Sequence, residues 1–434
     1  MHVLTRSAAA AALSTVSVLA ALALPAAPAL ADSVRDDSWH VKTLELAEMH
    51  KVTQGEGIVV AVIDTGVDAK HPDLKDNVLP GVDLYDDDSL GQVDREREGH
   101  GTGVASLIAG HGHGPGNRNG VLGIAPKAKI LPVTIKGKRS PLIAPAALAA
   151  GIDWAVDNGA DVVNVSLSSS FNDDLNRAVA RAYQRNVVVV AAAGNDTDVL
   201  VGSPASHPGC ISVNGVDRKG VISKKASVPG TLDLRIDIAA PGQDIVLAIP
   251  GGRYGTATGS SNSSAIVAGA AALIKAKYPD LTSYQLFQRL LETTKDAGEP
   301  GHDFYYGWGV LDLREALTGE PDGRGSRTAS AAPAPDGVER WADPREREDG
   351  ILIFVWSVII AVLILLVGGV VGTVMLLRGR ARRRQAELAD QDPQLAGDDP
   401  AMPHVPPQGG PAAPTHGPGQ PTETTDDVWR RPSG

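Results

Sequence analysis

Apolar residues along the chain repeat in two registers. Residues 57–64, GIVVAVID, form an unbroken apolar run between a glycine and an acid, the pattern of a strand buried on both faces. Residues 129–135, 161–167 and 187–193 repeat it, and 211–216 and 236–239 are shorter versions. Between these runs, residues 102–110, 146–158 and 173–186 place their apolar positions at helical spacing, with Trp154 on the apolar side of the second. A short helical pattern, LELAEMHKV, precedes the first strand, and a last helix is expected near 283–293. Strand and helix alternate, which predicts an α/β fold with a mostly parallel sheet and helices on both faces. One stretch differs: in residues 255–274, GTATGSSNSSAIVAGAAALI, a glycine and serine cluster runs directly into a small-residue helix pattern, with Ala265, Ala268, Ala272 and Ala276 at helical spacing.

Two apolar stretches lie outside the alternation. Residues 1–31 carry His2 and Arg6, then an apolar run, then small residues ending in Ala29-Leu30-Ala31. That is a secretory signal, cut before Asp32. Residues 351–377 hold no charge and exceed the roughly 20 residues that cross a bilayer. Arg378, Arg380, Arg382, Arg383 and Arg384 follow at once, and by the positive-inside rule that end stays in the cytoplasm. The expected organisation is a signal peptide over 1–31, a folded external domain over 32–318, and a linker rich in proline, glycine and charge over 319–350. One transmembrane helix over 351–377 and a disordered cytoplasmic tail over 378–434 complete it.

Composition narrows the picture further. With 434 residues the chain has room for one large domain and appendages, and a net charge of -11 argues against a nucleic-acid binder, which would present a basic surface. Cys210 is the only cysteine, so no intrachain disulfide is possible and the core alone must hold the fold. Four Phe against 48 Gly point to close packing of small residues.

In open α/β sheets, working residues gather at the carboxyl ends of strands and at the helix starts that follow. Asp64 closes the most apolar strand, His100 lies in GHGTG at a helix start, and Asn195 follows another strand in AAAGN. The serine cluster, with Ser260, Ser261, Ser263 and Ser264, opens a helix. A first-turn serine there either caps the helix or stands where unpaired backbone N–H groups can hold an anion. Each candidate has rivals: Asp68 and Asp73 for the acid, His111 and His113 for the base, and an ordinary turn for Asn195. The order Asp, His, Ser is one known for a catalytic triad on an α/β fold.

These residues carry a resemblance. VAVIDTGVDAKHPDL, GHGTGVASLIAG and GSSNSSAIVAG resemble the aspartate, histidine and serine motifs of the subtilisin-like serine proteases; AAAGN, RIDIAAPG and SPASHPGCISV fit as well. The likeness spans about residues 39–317. Within that family the chain resembles the mycosins, the membrane-anchored subtilases of actinobacterial type VII secretion. The signal, the WHVKTLELAEMHKVTQGEGIVVAVIDTGVD segment and the single basic-flanked span carry that likeness, and the interval before the first strand is too short for a folding prodomain.

The resemblance implies an Asp64, His100 and Ser261 triad, Ser261 being fixed by counting back from Val267-Ala268-Gly269. It implies Asn195 in the oxyanion hole, and Ser166, Leu167 and Ser168 lining the cleft that pairs with an extended polypeptide substrate. Ser168 stands where the family usually has glycine, so a narrower pocket is expected. Gly103 stands where the family often has His, Ala265 where it has Pro, and Ile266 where His or Tyr is common. Activity is expected to persist, slower or more selective. No cofactor or metal is expected: Asp86, Asp87 and Asp88 lack an EF-hand pattern and read as a solvated acidic loop. The first functional expectation is an extracellular, membrane-tethered serine endopeptidase acting on secreted proteins. The second is a structural subunit of a secretion complex, with proteolysis secondary.

Overall fold

The computed structural model describes residues 33–85, 89–135, 143–196, 198, 201–231, 234–319, 363, 368–369 and 371–384. The expected signal peptide, Asp86, Asp87 and Asp88, the linker beyond Gly319, most of the expected span and the tail beyond residue 384 lie outside the described residues. The chain divides into two compact units, residues 1–353 and 354–434. In the second, residues 371–384 are helical. Among the described residues no helix is long and apolar enough to cross a membrane.

The first unit begins with three short helices, α1 (Ser33–Asp37), α2 (Trp39–Thr43) and α3 (Leu46–Val52), which lead into β1 (Val59–Asp64). Next come β2 (Val82–Asp83), α4 (His100–Ala109), the hairpin β3 (His111–His113) and β4 (Asn119–Leu122), and β5 (Lys129–Thr134). Helix α5 (Pro145–Asp157), β6 (Val162–Val165), α6 (Asp173–Gln184), β7 (Val188–Ala192), β8 (Cys210–Val216) and β9 (Ile238–Pro241) continue the alternation. A second hairpin, β10 (Ile245–Ile249) and β11 (Arg253–Ala257), precedes α7 (Ser260–Lys277), α8 (Ser283–Glu292) and α9 (Leu313–Thr318).

Seven strands form the central sheet in the order β2-β5-β1-β6-β7-β8-β9, and every pairing in it is parallel. Successive residues of β1 serve opposite faces. Val60 and Val62 join one core with α4 and α7, while Ala61 and Ile63 join another with α5 and α6. This explains the unbroken apolar runs: with helices on both sides, neither face of a strand meets water. The sheet reverses its winding at β1, since β5 lies on one side of it and β6 on the other. Ligand sites in open α/β sheets collect at the carboxyl ends beside such a reversal.

Helix α7 crosses β6, β7, β8 and β9 and is buried almost all round, as its lack of a polar face predicts. Ala265 and Ile266 are both fully buried within a regular helix, part of the core rather than the open side of the serine cluster. The two hairpins were not legible. In β11, RYGTA, exposed and half-buried residues follow no clean alternation, and β3 has only three residues.

The N-terminal helices are held to the rest at long range. The Arg35 guanidinium donates to the carbonyls of Gly120 (2.9 Å), Asn117 (3.2 Å) and Asn119 (3.3 Å) on the β3–β4 hairpin. The Trp39 indole donates to the Gln243 carbonyl at 3.1 Å. Beside it His40 is fully buried, and neither ring nitrogen has a partner among the described residues. Burial pushes its pKa down from 6.5 to about 4. Native His40 is therefore neutral where the unfolded chain is already protonated. Stability from this group is full above pH 6.5 and falls on acidification until about pH 4, a loss of about 3 kcal/mol. Urea unfolding is expected to be less pH-dependent between pH 7 and 4 in His40→Phe than in wild type; equal slopes would exclude His40 as the cause.

Candidate active site

Asp64, at the end of β1, has no exposed surface. Its Oδ1 accepts the Thr65 N–H at 2.8 Å, and the Nδ1 of His100 lies 2.8 and 2.9 Å from its two oxygens. A carboxylate only accepts, so Nδ1 carries the hydrogen and Nε2 remains the basic nitrogen. His100 is the first residue of α4, and two glycines put it there. Gly99 takes a left-handed φ of +71°, and a Cβ on it would meet Pro250 at 2.0 Å. A Cβ on Gly101 would lie 2.2 Å from the Gly66 carbonyl oxygen and 3.2 Å from Asp64 Cβ. Only a bare backbone lets the helix start this close to the strand end.

The rival acids and bases are engaged elsewhere. Asp68 accepts from the N–H groups of Lys70 and Gly251. Buried Asp73 accepts the Val121 N–H and pairs with His113 Nδ1 at 2.7 Å. His111 lies against the carbonyls of Gly112 and Lys75. The Asp73–His113 pair, which braces the β3–β4 hairpin, has no recognisable signal in the sequence.

The serine cluster resolves by burial. Ser260, Ser263 and Ser264 are buried, whereas Ser261 is half-exposed. The helix N-cap is Gly259 and no side chain caps it, so the ordinary capping role falls to none of the four. Ser260 Oγ accepts the Gly194 N–H at 3.2 Å, and Ser263 Oγ donates to the carbonyls of Ala240 and Pro241 at 3.1 Å. The Ser261 hydroxyl donates to the Ser166 carbonyl at 3.2 Å.

Asn195 is oriented from behind. Its Oδ1 accepts the Ser260 N–H at 2.9 Å, which fixes the amide and turns Nδ2 the other way. Nδ2 has no hydrogen-bond partner among the described residues. Around the point where a Cβ on Gly259 would sit, Asn195 Oδ1 lies at 3.4 Å, the Ser261 nitrogen at 3.9 Å and Asn195 Nδ2 at 4.0 Å. The Asn195 amide and the Ser261 nitrogen thus lie close together at the N-terminus of α7, where partial positive charge accumulates.

The Ser166–Leu167–Ser168 segment follows β6, next to β1. Its first two residues do not line an open surface with their side chains: Ser166 and Leu167 are buried, and only Ser168 is exposed. Ser166 Oγ receives the Asn164 amide at 2.8 Å and lies 3.2 Å from the Ser261 carbonyl oxygen and 3.0 Å from Ser264 Oγ. Ser166 therefore supports the helix start from beneath. Ser168 crowds the next segment, for a Cβ on Gly202 would fall 2.8 Å from its own Cβ. Residues 94–98, Pro250 and Arg253 line a charged cleft of about 680 Å3.

Among the described residues no group of three His, Cys, Asp or Glu side chains is placed to hold a metal ion. Cys210 is buried in β8, its pKa pushed well up by burial and by nearby Asp237, which makes it an inert core thiol.

A serine-type endopeptidase is the class that this fold and its family match define: the subtilase model (Peptidase_S8) matches residues 55–309. The chain belongs to the subtilase family. Subtilisin DY of Bacillus licheniformis is 35% identical over 268 residues, 61% of this chain and 92% of that protein. Among solved structures, MycP1, described as a serine protease and an essential component of the type VII (ESX-1) secretion system, is 31% identical. It aligns over 67% of this chain and 90% of its own with a TM-score of 0.57. The MycP3 protease of the type VII (ESX-3) system is 30% identical over 68% of this chain and 91% of its own, with a TM-score of 0.56.

Proposed function

We propose that the chain is a membrane-anchored, extracytoplasmic serine endopeptidase working through Asp64, His100 and Ser261, and that it acts on secreted proteins of a type VII system. The observation that carries the chemistry is the buried Asp64 carboxylate on His100 Nδ1, at 2.8 and 2.9 Å. In this reading the Ser261 hydroxyl leaves the Ser166 carbonyl and gives its proton to Nε2 as Oγ attacks the scissile carbonyl. Asn195 Nδ2 and the Ser261 N–H take the charge that develops on the carbonyl oxygen. His100 then protonates the leaving amine, and water, activated by the same nitrogen, hydrolyses the acyl-enzyme. The exposed edge at Ser168 pairs with the extended substrate. The membrane anchor rests on the charge-free run over 351–377 and the arginines after it; the secretion context rests on the likeness to MycP1 and MycP3.

A membrane-impermeant fluorophosphonate applied to intact cells is expected to label Ser261, with the adduct located by peptide mass spectrometry. An adduct on Ser260 or Ser264 overturns the nucleophile, and label taken up only after lysis overturns the external placement. Asn195→Ala is expected to lower kcat by about 100- to 1,000-fold with little change in KM, the size seen for such a donor in a subtilisin. A purely binding role would raise KM instead.

A second reading has its own support, because the MycP1 structure is described as an essential component of its secretion system. If the scaffold role dominates, secretion survives Ser261→Ala and fails only when the whole chain is deleted.

A further inference from the structure

The carboxylate of Asp94, six residues before His100 on the loop leading into α4, spans the junction between the two elements that carry Asp64 and His100. Its Oδ1 accepts the Thr65 hydroxyl at 2.8 Å and the Glu96 N–H at 3.0 Å. Its Oδ2 accepts the Thr102 N–H at 2.9 Å and the Thr102 hydroxyl at 2.6 Å. One oxygen thus holds the residue after Asp64, and the other holds the helix two residues beyond His100. The threonines extend both ties. Thr65 Oγ1 accepts the Gly101 N–H at 3.0 Å while the Thr65 N–H donates to Asp64 Oδ1 at 2.8 Å. Thr102 Oγ1 accepts the Asp68 N–H at 3.0 Å, and the Arg95 N–H donates to the Thr65 carbonyl at 2.8 Å.

We infer that Asp94 is a positioning residue for the Asp64–His100 pair, setting the distance and angle between strand end and helix start. The inference rests on the peptidase reading above. A carboxylate offers about four acceptor sites and no donor, and four donors surround this one. Burial pushes its pKa up, but all four donors oppose that by binding the charged form. The charge-assisted bonds are about twice as strong as neutral ones.

An amide cannot replace it. Each oxygen faces one backbone N–H, that of Glu96 or of Thr102. Those N–H groups cannot rotate away. In Asp94→Asn, whichever way the side chain turns, its NH2 group meets a fixed donor. The junction must open, and a misplacement of about 1 Å at a catalytic pair costs on the order of 100-fold in rate.

The test is the second-order rate at which a fluorophosphonate phosphonylates the full-length chain in native membranes, with loss of fluoride, scored per folded molecule by the label reached at completion. Asp94→Asn and Thr65→Val are expected to react about 10- to 100-fold more slowly while reaching the wild-type final label. Thr65→Ser, which keeps the hydroxyl, is expected to react within about threefold of wild type. If the variants lose final label but the remaining molecules react at the wild-type rate, Asp94 only stabilises the fold and the inference is overturned. Equal rates throughout overturn it as well. A wild-type chain that takes no label at all removes the peptidase reading, and this inference with it.

Discussion

Ser261→Ala is expected to lower kcat by about a million-fold, the loss measured for this substitution in subtilisin, a member of the same family. The magnitude is borrowed; the reason is local. None of the three neighbouring serines can substitute for Ser261. Ser260 and Ser263 point into the protein on backbone partners, and Ser264 Oγ donates to the Ser261 carbonyl at 3.0 Å. The fold should survive, since the hydroxyl that is lost makes one bond, to the Ser166 carbonyl, at a half-exposed position. About 1,000- to 10,000-fold acceleration over water remains from the oxyanion donors and substrate binding. Hydrolysis of a fluorogenic peptide by the purified variant, with its thermal unfolding measured alongside, checks both halves. A variant with more than a hundredth of the wild-type kcat would exclude Ser261 as nucleophile.

Asp64→Asn is expected to cost about 10,000-fold in kcat, the order found when the same role is altered in other serine proteases. Asp64 Oδ1 already holds the Thr65 N–H at 2.8 Å, which keeps an amide oxygen on that side. The amide nitrogen then replaces Oδ2, 2.9 Å from His100 Nδ1. Although the Asn oxygen still lies 2.8 Å from Nδ1, the carboxylate's charge is gone and a donor stands at the Oδ2 position, so the ring shifts its hydrogen to Nε2. That nitrogen can no longer take the proton from Ser261. Because the geometry changes little, KM is expected to hold while kcat falls. A large rise in KM with kcat preserved would place Asp64 in substrate binding instead.

What the sequence disclosed follows from where side chains meet water. The apolar runs at β1, β5, β6 and β7 are legible because both faces of the sheet are covered, so burial leaves no polar alternation to blur them. The observed ends agree closely, as with Val188–Ala192 for an expected 187–193. Asp64, His100 and Asn195 stand out as candidates because each ends or follows a strand, or starts a helix beside glycine. Ser166 is a different matter. Expected to line a cleft, it turns its hydroxyl under Ser261, because its neighbour Asn164 is buried and donates to it. Asp94 was hidden altogether: it sits in a run of alternating charges, DREREG, that reads as solvated loop, and only the meeting of two distant elements gives it four donors. Ala265 and Ile266, departures from the family's serine motif, face the core, where alanine and isoleucine continue a helix that needs no interruption.

The Trp39 indole and the Gln243 carbonyl it bonds are 204 positions apart, and Arg35 reaches 85 positions to Gly120. A chain that emerges with its N-terminus first can seat Arg35 once Gly120 has followed, but Trp39 meets Gln243 only after β9. The Trp39 bond thus waits for the last strand of the sheet. Closing such distant pairs is slow. Acid, acting through buried His40, therefore bears on a segment tied to the body by contacts at long range in the sequence.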